Sequence, residues 1–183
     1  MKVFQASSEI PGMTKEEVDR FLGNKLNLQL ATVDSRGWPN IHPVWFYYDK
    51  NNETFLLTTS KLARKTENLR ARPTVYFSID EEISAPKGVK GRGIASIIED
   101  PRKTLSEGDR ISMKYLGRLD HPVAKMVSDG IKKGMLYLLK LVRNSYLHGI
   151  MVKRQAFKDT ILMHFRGCFV IQEEYEVPTK KSI

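Results

Sequence analysis

The stretch that most limits how this chain can fold is a junction. An apolar run, Phe55-Leu56-Leu57, ends in Thr58-Thr59-Ser60 and passes at once into Lys61-Leu62-Ala63-Arg64-Lys65-Thr66-Glu67-Asn68-Leu69. The first part has the composition of a strand and the second that of an amphipathic helix, so the segment reads as a strand feeding directly into a helix. Such a junction favours an anion, because the first helical turn carries unpaired N–H groups at the positive end of the dipole. Thr59 and Ser60 add hydroxyl donors. Lys61, Arg64 and Lys65, at i, i+3 and i+4, are expected on one helical face, with Asn68 extending it by a turn. Leu62, Thr66 and Leu69 are expected to pack the opposite side. The ligand implied is a phosphate. The same residues also suit a plain solvated helix in which Ser60 serves as N-cap.

The remaining chain supplies a frame of strands. Thr14-Lys15-Glu16-Glu17 is a capping box, and Val18, Phe21 and Leu22 follow at helical spacing, giving a helix over 15–22 closed by Gly23. Residues 27–34 alternate as a strand, Asp34-Ser35-Arg36-Gly37 is turn chemistry, and a second strand is expected from Pro39 to Tyr48. After the turn at Asp49-Lys50-Asn51-Asn52, the strand ending at Thr59 would be the third of a meander. Pro73 ends the basic helix and Thr74–Ile79 is a fourth strand. Val89–Ile98 is a fifth, where Gly91 and Gly93 mark a bulge or a close backbone approach. Helices are expected from Pro101 to near Gly117 and from His121 to Lys133, and a sixth strand over Met135–Val142. Residues 154–165 could form an amphipathic helix and Cys168–Ile171 a short final strand. The expected fold is mainly β: antiparallel strands, with one helix inserted after the third, closing into a small barrel that carries peripheral helices. All 183 residues are read as a single domain, with the barrel core over 15–143 and a C-terminal extension over 144–183.

Composition narrows the chemistry. One cysteine, Cys168, rules out an intrachain disulfide and a Cys-rich metal site, and His42, His121, His148 and His164 are too scattered for a metal-ligand motif. The apolar stretch Met135-Leu136-Tyr137-Leu138-Leu139 is broken by Lys140 well short of spanning length, so a cytoplasmic location with no membrane partner is expected. The formal net charge is +9, and the excess lies in the C-terminal part: residues 1–100 hold 14 basic and 13 acidic side chains, residues 101–183 hold 16 and 8. A basic surface can attract nucleic acid or an anionic cofactor tail. No Arg-rich run interleaved with aromatics is present, so nucleic acid is not an expected partner.

Three segments in order, Leu28-Gln29-Leu30-Ala31-Thr32-Val33-Asp34, Gly37-Trp38-Pro39-Asn40-Ile41-His42-Pro43-Val44-Trp45-Phe46 and Leu57-Thr58-Thr59-Ser60 followed by Arg64-Lys65-x-x-Asn68-Leu69-Arg70, resemble the split-barrel flavin-binding family. That family includes pyridoxamine phosphate oxidase and related flavin and deazaflavin reductases. The resemblance implies a split barrel of about six antiparallel strands with peripheral helices, an FMN-binding oxidoreductase, a homodimer with two equivalent cofactor sites along the subunit interface, and a small-molecule substrate. It assigns Thr59, Ser60, Arg64 and Lys65 to the cofactor phosphate, with Thr58, Lys61 and Asn68 in the same site. His42, Pro43, Val44 and Trp45 match the segment whose backbone lines the flavin ring. No catalytic side chain is assigned, since the flavin carries the redox chemistry. Pyridoxamine phosphate oxidase itself has an arginine where this chain has His42, and the wording Pro43-Val44-Trp45-Phe46 is closer to the reductase branch.

Two alternatives accompany this reading. One keeps the fold and takes the deazaflavin coenzyme F420, whose acidic tail could meet Lys87, Lys90 or Arg92. The other is a non-catalytic flavin- or haem-binding module, for which His148 and His164 are the tail candidates as axial ligand.

Overall fold

The computed structural model describes residues 3–4, 12–81 and 87–151, with side chains described over 12–81 and 87–142. The expected helix 154–165, the strand 168–171 and the tail lie outside the described residues. In chain order the elements are β1 (Val3–Phe4), α1 (Lys15–Gly23), β2 (Leu28–Val33), β3 (Pro39–Val44), β4 (Tyr47–Asp49), β5 (Thr54–Ser60), α2 (Arg64–Ala71), β6 (Thr74–Glu81), β7 (Lys87–Ile98), α3 (Pro101–Leu116), α4 (Pro122–Lys132) and β8 (Leu136–Met151).

All the strands join one sheet in the order β3-β2-β6-β7-β8-β5-β4, with β1 added in parallel to β8. Every other pairing is antiparallel. The sheet curls into the half-barrel of the split-barrel fold, as the resemblance implied. Its inner face is built by period-2 alternation: Leu28 and Leu30, Val44, Phe55 and Leu57, Val75, Phe77 and Ile79, and Leu139 and Leu141 all point inward and are buried. Each contributes about 1.5–3 kcal/mol through removal from water. Val18, Phe21 and Leu22 of α1 join that core, after the Thr14 hydroxyl accepts the Glu17 N–H and the Glu17 carboxylate accepts the Thr14 N–H. Phe46, Tyr48 and Phe77 surround Phe55 with ring centroids 4.8–5.7 Å apart.

On the outer face, α3 packs on β4, β5 and β8 and α4 on β8, burying Ile111, Ala124 and Ile131. Gly108 lets α3 come close: a Cβ there would lie 2.9 Å from Ile131 Cδ1 and 3.7 Å from Thr58 Cγ2. The predicted irregularity in the fifth strand is real, since the β7–β8 register shifts between Gly91 and Gly93.

Four local expectations are corrected. The strand predicted over 39–48 is two strands at opposite ends of the sheet order, so the first three strands are not a continuous meander. The break falls at Trp45-Phe46, where the Phe46 N–H leaves the ladder and donates to the Tyr115 hydroxyl at 3.2 Å. Helix α2 starts at Arg64, not at Ser60: its N-cap is Ala63, with no side-chain cap. Ser60 instead closes a turn, its hydroxyl accepting the Leu62 N–H at 3.2 Å while Lys61 N–H donates to Met135 O at 3.0 Å. Finally, Leu62 is 96% exposed in that turn and packs against nothing, whereas Thr66 and Leu69 are buried as expected. β8 also runs on to Met151, nine residues beyond the expected end of the sixth strand at Val142.

Candidate functional site

The split in the barrel lies between two strand edges. Among the described residues, β3 pairs only with β2, and β4 covers only Thr54–Leu56 of β5. The outer edges of β3 and of Leu57–Ser60 in β5 therefore carry backbone N–H and C=O groups with no ladder partner. Pro43 is tolerated on β3 because this is an edge strand. Beside this opening is a cleft of about 320 Å³ lined by Pro43, Val44, Trp45 and Thr58 on the sheet side and by Gly108, Ile111, Ser112 of α3 and Val127 of α4 on the other.

Trp45 forms one wall. Its ring stacks on Tyr115 with centroids 4.7 Å apart and planes 4° from parallel. Tyr115 is fixed in turn: its hydroxyl donates to Leu26 O at 2.6 Å and accepts the Phe46 N–H, and burial pushes its pKa up to about 12, against the opposing effect of that N–H. The neutral phenol is thus locked as a support for Trp45. Next to it, Lys114 donates to Leu22 O at 2.9 Å and lies 3.6 Å from the centroid of Phe46.

Helix α2 straddles the end of the barrel, and its sides meet different strands. One flank faces the β2–β3 hairpin: Asn68 Nδ2 donates to Thr32 Oγ1 at 3.0 Å and Arg72 donates to Asp34 O at 2.9 Å. Lys65 is half-buried, and desolvation holds its ammonium below the usual lysine range. The other flank meets β5 and β8: Thr66 Oγ1 donates to Ser60 O at 2.7 Å and lies 3.1 Å from Thr59 Oγ1, while Arg70 donates to the Tyr137 hydroxyl at 3.2 Å.

The eleven residues singled out from sequence therefore divide. Pro43, Val44, Trp45 and Thr58 meet at the cleft. His42 is two residues inward from Val44 on the same face of β3, and burial followed by the charge of Lys65 lowers its pKa. The cations do not share a helical face as expected. Lys61 precedes α2 and its ammonium sits 4.5 Å over the Tyr137 ring, Arg64 is exposed, and only Lys65 reaches His42. Thr59 and Ser60 use their hydroxyls within the chain, on Thr66 and Leu62. Asn68 is buried on Thr32 instead of extending a cationic face.

Sequence reasoning missed Asn40 and the α3 wall. Asn40 could have been found from period 2, since it precedes His42 by two. Gly108, Ile111, Ser112 and Tyr115 recur at helical spacing, which marks one face of α3.

Known proteins resemble this chain. Heme oxygenase HutZ of Vibrio cholerae serotype O1 is 30% identical over 96 residues, 49% of this chain and 53% of that protein, so the chain spans about half the length of this curated relative. Among solved structures, a conserved hypothetical protein of Mycobacterium tuberculosis superposes with a TM-score of 0.67 at 22% identity, covering 81% of this chain and 90% of its own. An F420 reductase does so with a TM-score of 0.56 at 24% identity, covering 70% and 94%. At these identities the structures share the fold alone. The pyridoxamine 5'-phosphate oxidase family pattern matches residues 14–132, well over half of the sequence. This chain belongs to the pyridoxamine 5'-phosphate oxidase family.

Proposed function

We propose that the chain is a cytoplasmic FMN-binding oxidoreductase acting as a homodimer on a small molecule. One observation carries the reading: two strand edges without a ladder partner among the described residues flank an opening with a cleft beside it, and on the inward face of β3 His42 feels the half-buried cation Lys65, with which no carboxylate among the described residues is paired. The edges offer backbone donors and acceptors to a planar heterocycle, and Trp45 on Tyr115 offers it an aromatic wall. Lys65 and His42 suit the phosphate, and the orphaned buried atoms His42 Nδ1 and Asn40 Oδ1 there fit a polar ligand group. The flavin would supply hydride transfer, while the chain binds it, orients it and keeps water from one face. Arg64, exposed on the first turn of α2, is assigned a weaker role in the same anchor.

FMN titration of the purified protein, followed by flavin fluorescence, tests this. Lys65→Ala is expected to weaken FMN by about 10- to 100-fold, the loss of one charged hydrogen bond. Riboflavin, which lacks the phosphate, is expected to bind both forms alike. An unchanged FMN affinity in Lys65→Ala would remove the phosphate assignment.

Two relatives favour second readings. The F420 reductase neighbour supports the deazaflavin coenzyme in the same cleft, and HutZ supports haem. Haem needs an axial ligand, and His164 and the side chain of His148 lie outside the described residues. Reconstitution with each cofactor separates the three: a Soret band marks haem, and competition between FMN and the deazaflavin decides the rest.

A further inference from the structure

Three buried side-chain polar atoms lack a hydrogen-bond partner among the described residues, and two of them are neighbours on the inward face of β3: Asn40 Oδ1 and His42 Nδ1. The third, Asp19 Oδ1, belongs to α1. Buried polar atoms are nearly always satisfied, so an adjacent pair left over beside a cation marks a place built for something else. Lys65 is that cation, and no carboxylate among the described residues is paired with it.

We propose that His42 is a proton-coupled anchor for a phosphate monoester: its neutral imidazole takes a proton from solvent as the dianion settles beside Lys65. This rests on the reading that a cofactor phosphate sits beside Lys65. Nδ1 changes from a lone-pair acceptor to an N–H donor, so the site then presents two cationic donors to two negative charges. The Asn40 amide completes it, its Nδ2 and Oδ1 assignable either way round.

The surroundings decide the direction of the proton. In the free protein, burial and the Lys65 ammonium both oppose an imidazolium at His42. No other group in β3 titrates, and none in β2 does. On α2, Arg64 and Glu67 are exposed, and Arg72 is engaged with Asp34 O. The Asp34 carboxylate at the hairpin end accepts the Arg36 and Trp38 N–H groups, and Lys61 lies over Tyr137. A bound dianion therefore reverses the sign of the field at His42, since no carboxylate among the described residues already supplies it. The arrangement also selects. A monoester, with its second ionisation near ~6, is dianionic at pH 8, whereas a phosphodiester carries one charge and is balanced by Lys65 alone.

Calorimetric titration of the intact protein with FMN at pH 8, in phosphate-free buffers of different ionisation enthalpy, reads the proton count directly. The expected result is uptake approaching ~1 proton per FMN, none with riboflavin, and less with the deazaflavin coenzyme, which carries a phosphodiester. His42→Gln is expected to abolish the uptake and weaken FMN. His42→Arg is expected to hold FMN with no uptake, because its charge is permanent. FMN binding to the wild type without proton uptake, or with uptake that persists in His42→Gln, overturns the proposal while leaving the flavin reading intact. If FMN does not bind, the flavin reading fails, and orthophosphate titrated in the same buffers decides the anchor: binding with uptake supports it, and no binding overturns it.

Discussion

Lys114 shows how far one side chain here depends on its surroundings. It donates to Leu22 O in the last turn of α1, where a cation is favoured, and lies against the rings of Phe46 and Tyr115. Desolvation nonetheless wins and lowers its pKa to about 8 from the ordinary 10.5. The unfolded chain therefore holds more protons than the folded one between these values, and unfolding free energy must rise with pH across that window because of this group. Below about 8 the lysine is charged in both states and adds no slope. Lys114→Met keeps the aliphatic packing and removes the titration, so urea denaturation from pH 7 to 10.5 is expected to show the wild type gaining stability relative to the variant as pH rises. Parallel pH profiles for the two proteins would mean that the ammonium is better solvated than its position against Phe46 implies.

The elements were legible from sequence wherever periodicity and local chemistry agree. The capping box of α1, the Pro101 and His121 starts of α3 and α4, the Gly117 stop and the alternation of β2 and β6 all depend on residues within one or two turns of one another. What could not be read was fixed by distant partners. Tyr115 draws the Phe46 N–H out of the ladder from 69 positions away and so divides one apparent strand into β3 and β4. Met135 O holds the Lys61 N–H and keeps Ser60–Ala63 in a turn, which moves the start of α2 from Ser60 to Arg64 and scatters the cations. The residues expected to form one anion site are divided: Lys65 stands by His42, while the Thr59 hydroxyl meets Thr66 and the Ser60 hydroxyl accepts the Leu62 N–H. The late start leaves α2 with Ala63 at its N-cap, a residue with no acceptor to offer. Ala63→Asp supplies one and is expected to stabilise the protein by about 0.5–2 kcal/mol in thermal or urea unfolding. The same carboxylate places a negative charge at the first turn, where Lys65 stands, so FMN affinity should fall while stability rises. If both rise together, the phosphate does not approach that end of α2.

At the scale of the molecule, the sheet has two faces and only one is fully covered from within the described residues. The outward row Ile41–Ala31–Tyr76 runs across β3, β2 and β6 in register, and Ile94 pairs with Val142 between β7 and β8. Ile41 is 64% exposed and Tyr76 55%, with Ile94 and Val142 exposed as well. Apolar side chains aligned over neighbouring strands differ from the singly scattered exposed residues of an ordinary surface. A second copy of the chain is the partner the proposed function requires. A stable pair of this kind buries roughly 1,600 Å² in total, which this row and the adjoining Pro43 and Trp45 would have to anchor. Pro43 and Trp45 also line the cleft, so pairing and cofactor binding would be coupled through shared residues. Tyr76→Asp, at a position exposed within the chain, should leave the fold intact by circular dichroism and shift the protein from dimer to monomer in sedimentation. FMN affinity should fall with it, and should recover in the wild type as protein concentration passes through the dimer dissociation constant. A wild-type protein that sediments as a monomer at every concentration while holding FMN fully would show that each cleft is complete within one chain.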